Sequence, residues 1–329
     1  MKFSSVLIVW TIIIMVPELG FGVRGDLDRD GDVDFDDFFI FSDNFGNQGP
    51  AQLSDCEALG YSEDEEISEA ASVFSTGGDI TGATATNRSG DCTNYVNDYN
   101  SNVTYLQNNQ TFTGDVSISV SGGKCVFSSN GIPNHDMGEG GRFATPVSEV
   151  NVTYSFTASP SFNSSPDFDI WKGNIVLLNG GLVDILPAAC YDQGNEPLGR
   201  EKIGCGGNLL DHPWRYDPMS PLNSFGTDIH NAHTQPTGQY HYHANPNALF
   251  EDDCANISTA SPLIGFAADG FPVYGSCIND NGTIRKAQSS YQLKNDGGPR
   301  QAVAGYQTPT AGNGGIASSN YDGQFRGDW

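Results

Sequence analysis

The sequence predicts a mainly β protein: a disulfide-stapled β-sandwich or irregular barrel with long loops, preceded by a short acidic loop-helix. Three observations carry this expectation. From Thr76 onward the chain is dense in Gly, Asn, Ser and Thr, and short apolar runs of strand length recur between turn residues. No long helical periodicity follows Phe74. Seven cysteines lie at wide spacings with no Cys-x-x-Cys pair, the usage of a stapled fold rather than of a zinc ribbon or a redox motif.

At the N-terminus, Met1-Lys2 is followed by an apolar run from Val6 to Val16 and a turn-forming exit from Pro17 to Gly25. A basic start, a short apolar centre and a small-residue exit describe a secretory signal peptide over residues 1–24, too short to span a membrane, with cleavage near Gly22 or Gly25. No other stretch approaches membrane-spanning length. The mature chain is therefore expected to be secreted or periplasmic, where disulfides form. Nearness along the chain favours Cys190 with Cys205 and Cys254 with Cys277, then Cys92 with Cys125, and leaves Cys56 over.

Residues 25–46 read GDLDRDGDVDFDDFFIFSDNFG. Asp26, Asp28 and Asp30 fall at the first, third and fifth places of a cation-binding loop, and Gly31 at the sixth, where the sharp turn excludes a side chain. Asp32 would offer its carbonyl and Asp37 closes the loop at the twelfth place. An all-oxygen set of this kind selects calcium. The loop is similar to a dockerin-type calcium repeat, since its last ligand is Asp rather than the bidentate Glu of ordinary EF-hands. Phe38, Phe39, Ile40, Phe41 and Phe45 suit a short helix with an apolar stripe. The likeness implies attachment to a protein or cell-surface partner; the plainer alternative is a solvated acidic segment. Residues 47–90 are read as an acidic linker, with one short helix from Ser62 to Phe74.

The rest of the chain, residues 91–329, is read as one β domain large enough to bury a core. Its expected strands are Val116 to Val120, Lys124 to Phe127, Val150 to Phe156, Asn174 to Leu178, Leu182 to Leu186 and Leu263 to Ala267. Asn179-Gly180-Gly181 between apolar runs signals a hairpin.

Four of the six histidines, His230, His233, His241 and His243, fall in one short stretch. If Gln239-Tyr240-His241-Tyr242-His243 is extended, His241 and His243 share one face and Tyr240 and Tyr242 the other. Two imidazoles two residues apart on a strand can grip one metal ion. His233 can return to them as a third ligand if Gln235-Pro236-Thr237-Gly238 reverses the chain. His135, after Pro133-Asn134, is a candidate fourth ligand or proton carrier, and Asp269 a candidate ligand or acceptor fixing a tautomer. Each has a plainer account: polar or hydrogen-bonded core histidines, and an Asp269-Gly270 turn. His212, beside Pro213 and Trp214, reads as a local cap.

The stretches HNAHTQPTGQYHYHANP at 230–246, PLIGFAADGFPVYG at 262–275 and SSNGIPNHDMG at 128–138 resemble the YHYH domain family over roughly residues 110–329. The matching positions are His135, Asn231, His233, Tyr240, His241, Tyr242, His243, Asp269 and Gly270, with His230 the looser match. The resemblance implies no particular reaction.

Three or four neutral imidazoles suit zinc, copper, nickel or iron better than calcium or magnesium, and copper or zinc is the expectation taken forward. A net charge of −25, from 40 acidic against 15 basic residues, repels phosphate backbones and excludes nucleic acid as a partner. No nucleophile elbow, His-Glu-x-x-His helix or phosphate loop is present. Three functions stay open: a closed four-ligand metal-binding module, a metal-dependent hydrolase or oxidoreductase with three ligands and an open position, and a structural or adhesion module without a transition metal. No small-molecule substrate is indicated.

Overall fold

A computed structural model describes residues 73–162, 174–185, 189–194, 198–199, 212–289 and 291–329. The signal peptide and the loop of Asp26, Asp28, Asp30, Asp32 and Asp37 lie outside the described residues. So do Cys56 and Cys205.

The fold is mainly β, with two larger sheets that share one core. The first sheet holds β1 (Gly78–Asp79), β2 (Asn97–Tyr105), β3 (Gln110–Ser121), β4 (Lys124–Ser129) and β5 (Val152–Thr157), in that order and antiparallel except for β1 with β2. Alternation builds it: Tyr99, Ser101, Val103 and Tyr105 of β2 point inward while Asp98, Asn100 and Asn102 face water. Sequence reasoning placed no strand at β2. Its outward Asn and Asp residues are poor strand formers, and the inward Tyr and Val residues outweigh them once the strand pairs with β3 along its whole length.

The second sheet runs β11 (Pro272–Tyr274), β10 (Leu263–Ala267), β6 (Ile175–Leu177), β7 (Leu182–Val183), β9 (Tyr240–Tyr242) and β8 (Ala232–Thr234). Every residue of β6, β7, β9 and β10 is buried, so these strands are covered on both faces. On one face Phe266 meets Phe127, Phe156 and Tyr95 of the first half, with ring centroids 5.4–6.1 Å apart. The sheets thus face each other as a sandwich and do not close into a barrel. Residues 73–90, read from sequence as linker, belong to this core through Phe74, Ile80 and Ala85. A two-stranded ribbon, β12 (Cys277–Asp280) with β13 (Thr283–Lys286), follows.

Two disulfides, Cys92–Cys125 and Cys254–Cys277, are the pairs expected from nearness along the chain. Cys190 is disulfide-bonded as well. The C-terminal segment packs a second cluster around Trp214, Tyr216 and Phe325, beside a fully buried pair in which Arg300 donates twice to Asp328 at 2.8 Å.

The expected hairpin forms between β6 and β7, with Gly180 at φ 77°. The turn is pressed against the first sheet: a Cβ on Gly180 would lie 2.4 Å from Ser129 Oγ and 2.6 Å from Val116 Cγ2. Gly180→Ala therefore adds left-handed strain to overpacking. A loss of about 2–4 kcal/mol is expected, read as a lower urea midpoint with an unchanged slope.

Candidate metal centre

The site is built on β9, whose main chain pairs on both sides. On one side β8 runs antiparallel to it and sets His233 opposite His241; on the other β7 runs parallel, with Leu182 opposite His241. The reversal between β8 and β9 is the predicted one: Gly238 donates to Gln235 O at 2.8 Å, and Gln235 donates to Gln239 O at 2.8 Å. Directly opposed strand residues hold their Cβ atoms about 5 Å apart, close enough for imidazoles to meet. His243, two residues after His241, falls on the same face. Its amide donates to the carbonyl of Asn231, which sits at φ 60°, a left-handed conformation that Asn tolerates.

Three ring nitrogens converge there. His241 Nε2 is 3.2 Å from His243 Nε2, which is 3.0 Å from His233 Nε2. His241 and His243 are 2% and 9% exposed, and His233 is half-buried. The far side of two of the rings decides their tautomer. His233 Nδ1 is 2.6 Å from Phe225 O and His243 Nδ1 is 2.6 Å from Asp184 O. A carbonyl only accepts, so each Nδ1 carries the proton, and in a neutral ring each Nε2 then presents a lone pair. Burial holds the pKa of His243 well below its ordinary value, aided by the two neighbouring imidazoles, and burial lowers that of His233. Two lone pairs, one on the buried His243 and one on the half-buried His233, therefore face each other at 3.0 Å with protonation disfavoured. A shared cation would resolve that arrangement. Separations of 3.0–3.2 Å would suit imidazoles held on one ion by metal–nitrogen bonds of about 2.05 Å, so the three residues fit such a group.

The other proposed ligands are not brought to this point. His135 lies across β9, on the tyrosine face: its Nε2 is 2.6 Å from Tyr242 Oη and its Nδ1 2.7 Å from Asp136 O. The physical reason is the pleat, since Tyr240 and Tyr242 point into the core from which the loop after β4 approaches. Asp269 is exposed in the turn between β10 and β11, where its carboxylate accepts from Phe271 N at 3.2 Å, so the plain turn account holds. His230 packs its ring on His135, centroids 3.9 Å apart, away from the triad. His212 caps locally as expected, Nδ1 accepting from Trp214 N at 3.1 Å.

The tyrosine face is a buried polar network. Tyr242 Oη donates to His135 Nε2 and accepts from Asn179 Nδ2 at 3.1 Å, and Asn179 in turn donates to Asn134 Oδ1 at 3.1 Å. Tyr240 Oη donates to Asp228 Oδ2 at 2.8 Å, and Asp228 also takes the amides of Gly138 and His230. Sequence reasoning missed Asp228, Asn179 and, on the metal face, Asp184 and Gln235. Gln235 Nε2 is 2.8 Å from Asp184 Oδ2 and 3.5 Å from His241 Nε2. Asp184 directly follows the apolar β7 run, and that position was its one sequence-level signal.

Among the described residues, His233, His241 and His243 are the one group with metal-ligand geometry. Residues 153–329, more than half of the chain, match the model of a family described as YHYH protein. That match takes in the triad and not His135. No curated protein and no solved structure matches the chain.

Removing the Tyr242 hydroxyl leaves the buried His135 Nε2 without its partner and takes one of two acceptors from the Asn179 amide. Tyr242→Phe is expected to cost about 1–3 kcal/mol in chemical denaturation while leaving the far-ultraviolet spectrum unchanged. The buried His135 gives a pH signature: burial, then the neighbouring His230, push its pKa from 6.5 down to about 3. The unfolded chain then takes up the proton first as pH falls. Stability from this group is complete above pH 6.5 and is lost between 6.5 and about 3. His135→Leu should flatten that limb of a stability-versus-pH curve relative to the parent chain.

Proposed function

The chain belongs to the YHYH protein family, and from that premise and the converging imidazoles we propose that it is an exported protein that binds a transition-metal ion, copper or zinc, through His233, His241 and His243. The observation that carries this reading is the pair of Nδ1–carbonyl bonds that leave the Nε2 lone pairs of His233 and His243 facing each other at 3.0 Å, with His241 Nε2 3.2 Å from that of His243. Export is supported by the N-terminal sequence and by disulfides of the kind formed in oxidising compartments. The Asp26, Asp28, Asp30, Asp32 and Asp37 loop supports a separate calcium site and, through its dockerin likeness, attachment to a protein or surface partner.

Between a closed storage site and an open reactive one, the geometry favours the open one. Three histidines supply three ligands, His135 and Asp269 stand elsewhere, and the half-buried His233 leaves an approach from water. A three-histidine ion with a free position polarises a bound water or small ligand, the arrangement of metal-dependent hydrolases and oxidoreductases.

Elemental analysis of the purified, export-processed chain in calcium-containing, chelator-free buffer tests this, beside a His241→Ala/His243→Ala variant. About one equivalent of copper or zinc should be present in the parent and absent in the variant, with calcium retained in both. Equal transition-metal content in both, with lower stability in the variant, would leave a purely structural role for the histidines.

A further inference from the structure

We propose that Gln235, held by the Asp184 carboxylate, selects the ligand at the coordination position the three histidines leave open, and that it selects a small hydrogen-bond-accepting anion. The inference rests on the metal reading above and adds what the metal would hold.

Asp184 is 6% exposed and is fixed to the sheet by its own main chain: its amide donates to Tyr242 O at 2.9 Å and its carbonyl accepts from His243 Nδ1 at 2.6 Å. Its Oδ2 lies 2.8 Å from the Gln235 amide group. A carboxylate accepts only, so the atom of Gln235 that faces it is the NH2 and not the carbonyl oxygen. That orientation has two consequences. The NH2 is the end of Gln235 that approaches His241, so the group beside the triad is a donor and not a ligand.

The amide nitrogen also has a second hydrogen, and His241 Nε2 lies 3.5 Å from that nitrogen, the outer limit of a hydrogen bond. Once an ion takes the His241 lone pair, this N–H faces whatever else the ion holds. A fixed donor beside an open coordination position favours an acceptor there, such as hydroxide or another small anion, over a neutral ligand of the same size. Size follows from the surroundings. His241 and His243 are buried, and only His233 and Gln235 keep part of their surface in water, so the approach is narrow.

The test uses the full chain loaded with one equivalent of Cu(II), metal content measured first, then titrated with azide and followed by the azide-to-copper absorption band. The parent is expected to bind azide. Gln235→Leu should keep its copper and bind azide about tenfold more weakly, the loss of one hydrogen bond to a charged group. Asp184→Asn, which leaves the main-chain hold on His243 in place but frees the amide to turn over, should weaken azide in the same way. Unchanged azide affinity in Gln235→Leu with full copper would overturn the proposal. If Gln235→Leu fails to hold copper, Asp184→Asn decides: copper kept with azide weakened supports the assignment, and copper kept with azide unchanged overturns it. A parent chain without copper would sink the metal reading itself, a result visible before any azide is added.

Discussion

The pleat of one short strand, β9, organises both faces of the site. Tyr240 and Tyr242 are drawn into the shared core and end on acceptors that are themselves held, Asp228 and His135. His241 and the following His243 are thereby turned to the opposite face, where His233 of β8 meets them. A one-residue slip of β9 would exchange the two sets and strand tyrosine hydroxyls among imidazoles, so the register is specified from both sides at once. Burial on both faces of the second sheet is the condition that makes this work. The phenol networks and the imidazole cluster are each kept out of water, where their hydrogen bonds and lone pairs count for most.

The electrostatics of the two faces differ in kind. On the tyrosine face the phenols find partners: Asp228 takes a phenol and the three amides of Gly138, His230 and Ala232, and Asn179 bridges Tyr242 and Asn134. On the histidine face two Nδ1 hydrogens are spent on carbonyls and two lone pairs are left looking at each other. Such an arrangement is one that a positive ion would relieve. In a chain of net charge −25, cations are also the species the surrounding field gathers.

Much of this was legible in the sequence, and the parts that were not share a cause. Alternation in Gln239 to His243 is local, so the sharing of a face by His241 and His243 and the opposite placing of the tyrosines follow from period two alone. The turn chemistry of Gln235 to Gly238 and of Asn179 to Gly181 is local as well, and both hairpins form where it predicts. Asp184 and Gln235 come together only because β7 pairs in parallel with β9 across a long intervening stretch, a crossover that no local pattern announces. The place of His135, on the tyrosine face, was hidden for the same reason. Its candidacy as a ligand depended on which face of β9 the loop after β4 approaches, and that is a property of how the two sheets stack. The strand at Asn97–Tyr105 was hidden by residues chosen for water on its outer face.

The anchoring of the ligand rings to main-chain carbonyls has a bearing on how such a site can change over generations. The oxygen atoms that orient His233 and His243 belong to the peptide units of Phe225 and Asp184, and every amino acid brings the same oxygen. Substitution at either position can alter what surrounds the three imidazoles without unseating them. Insertions or deletions near these residues are another matter, because they move the carbonyl itself. The surroundings of the cluster are thus free to drift while its geometry is inherited almost unchanged.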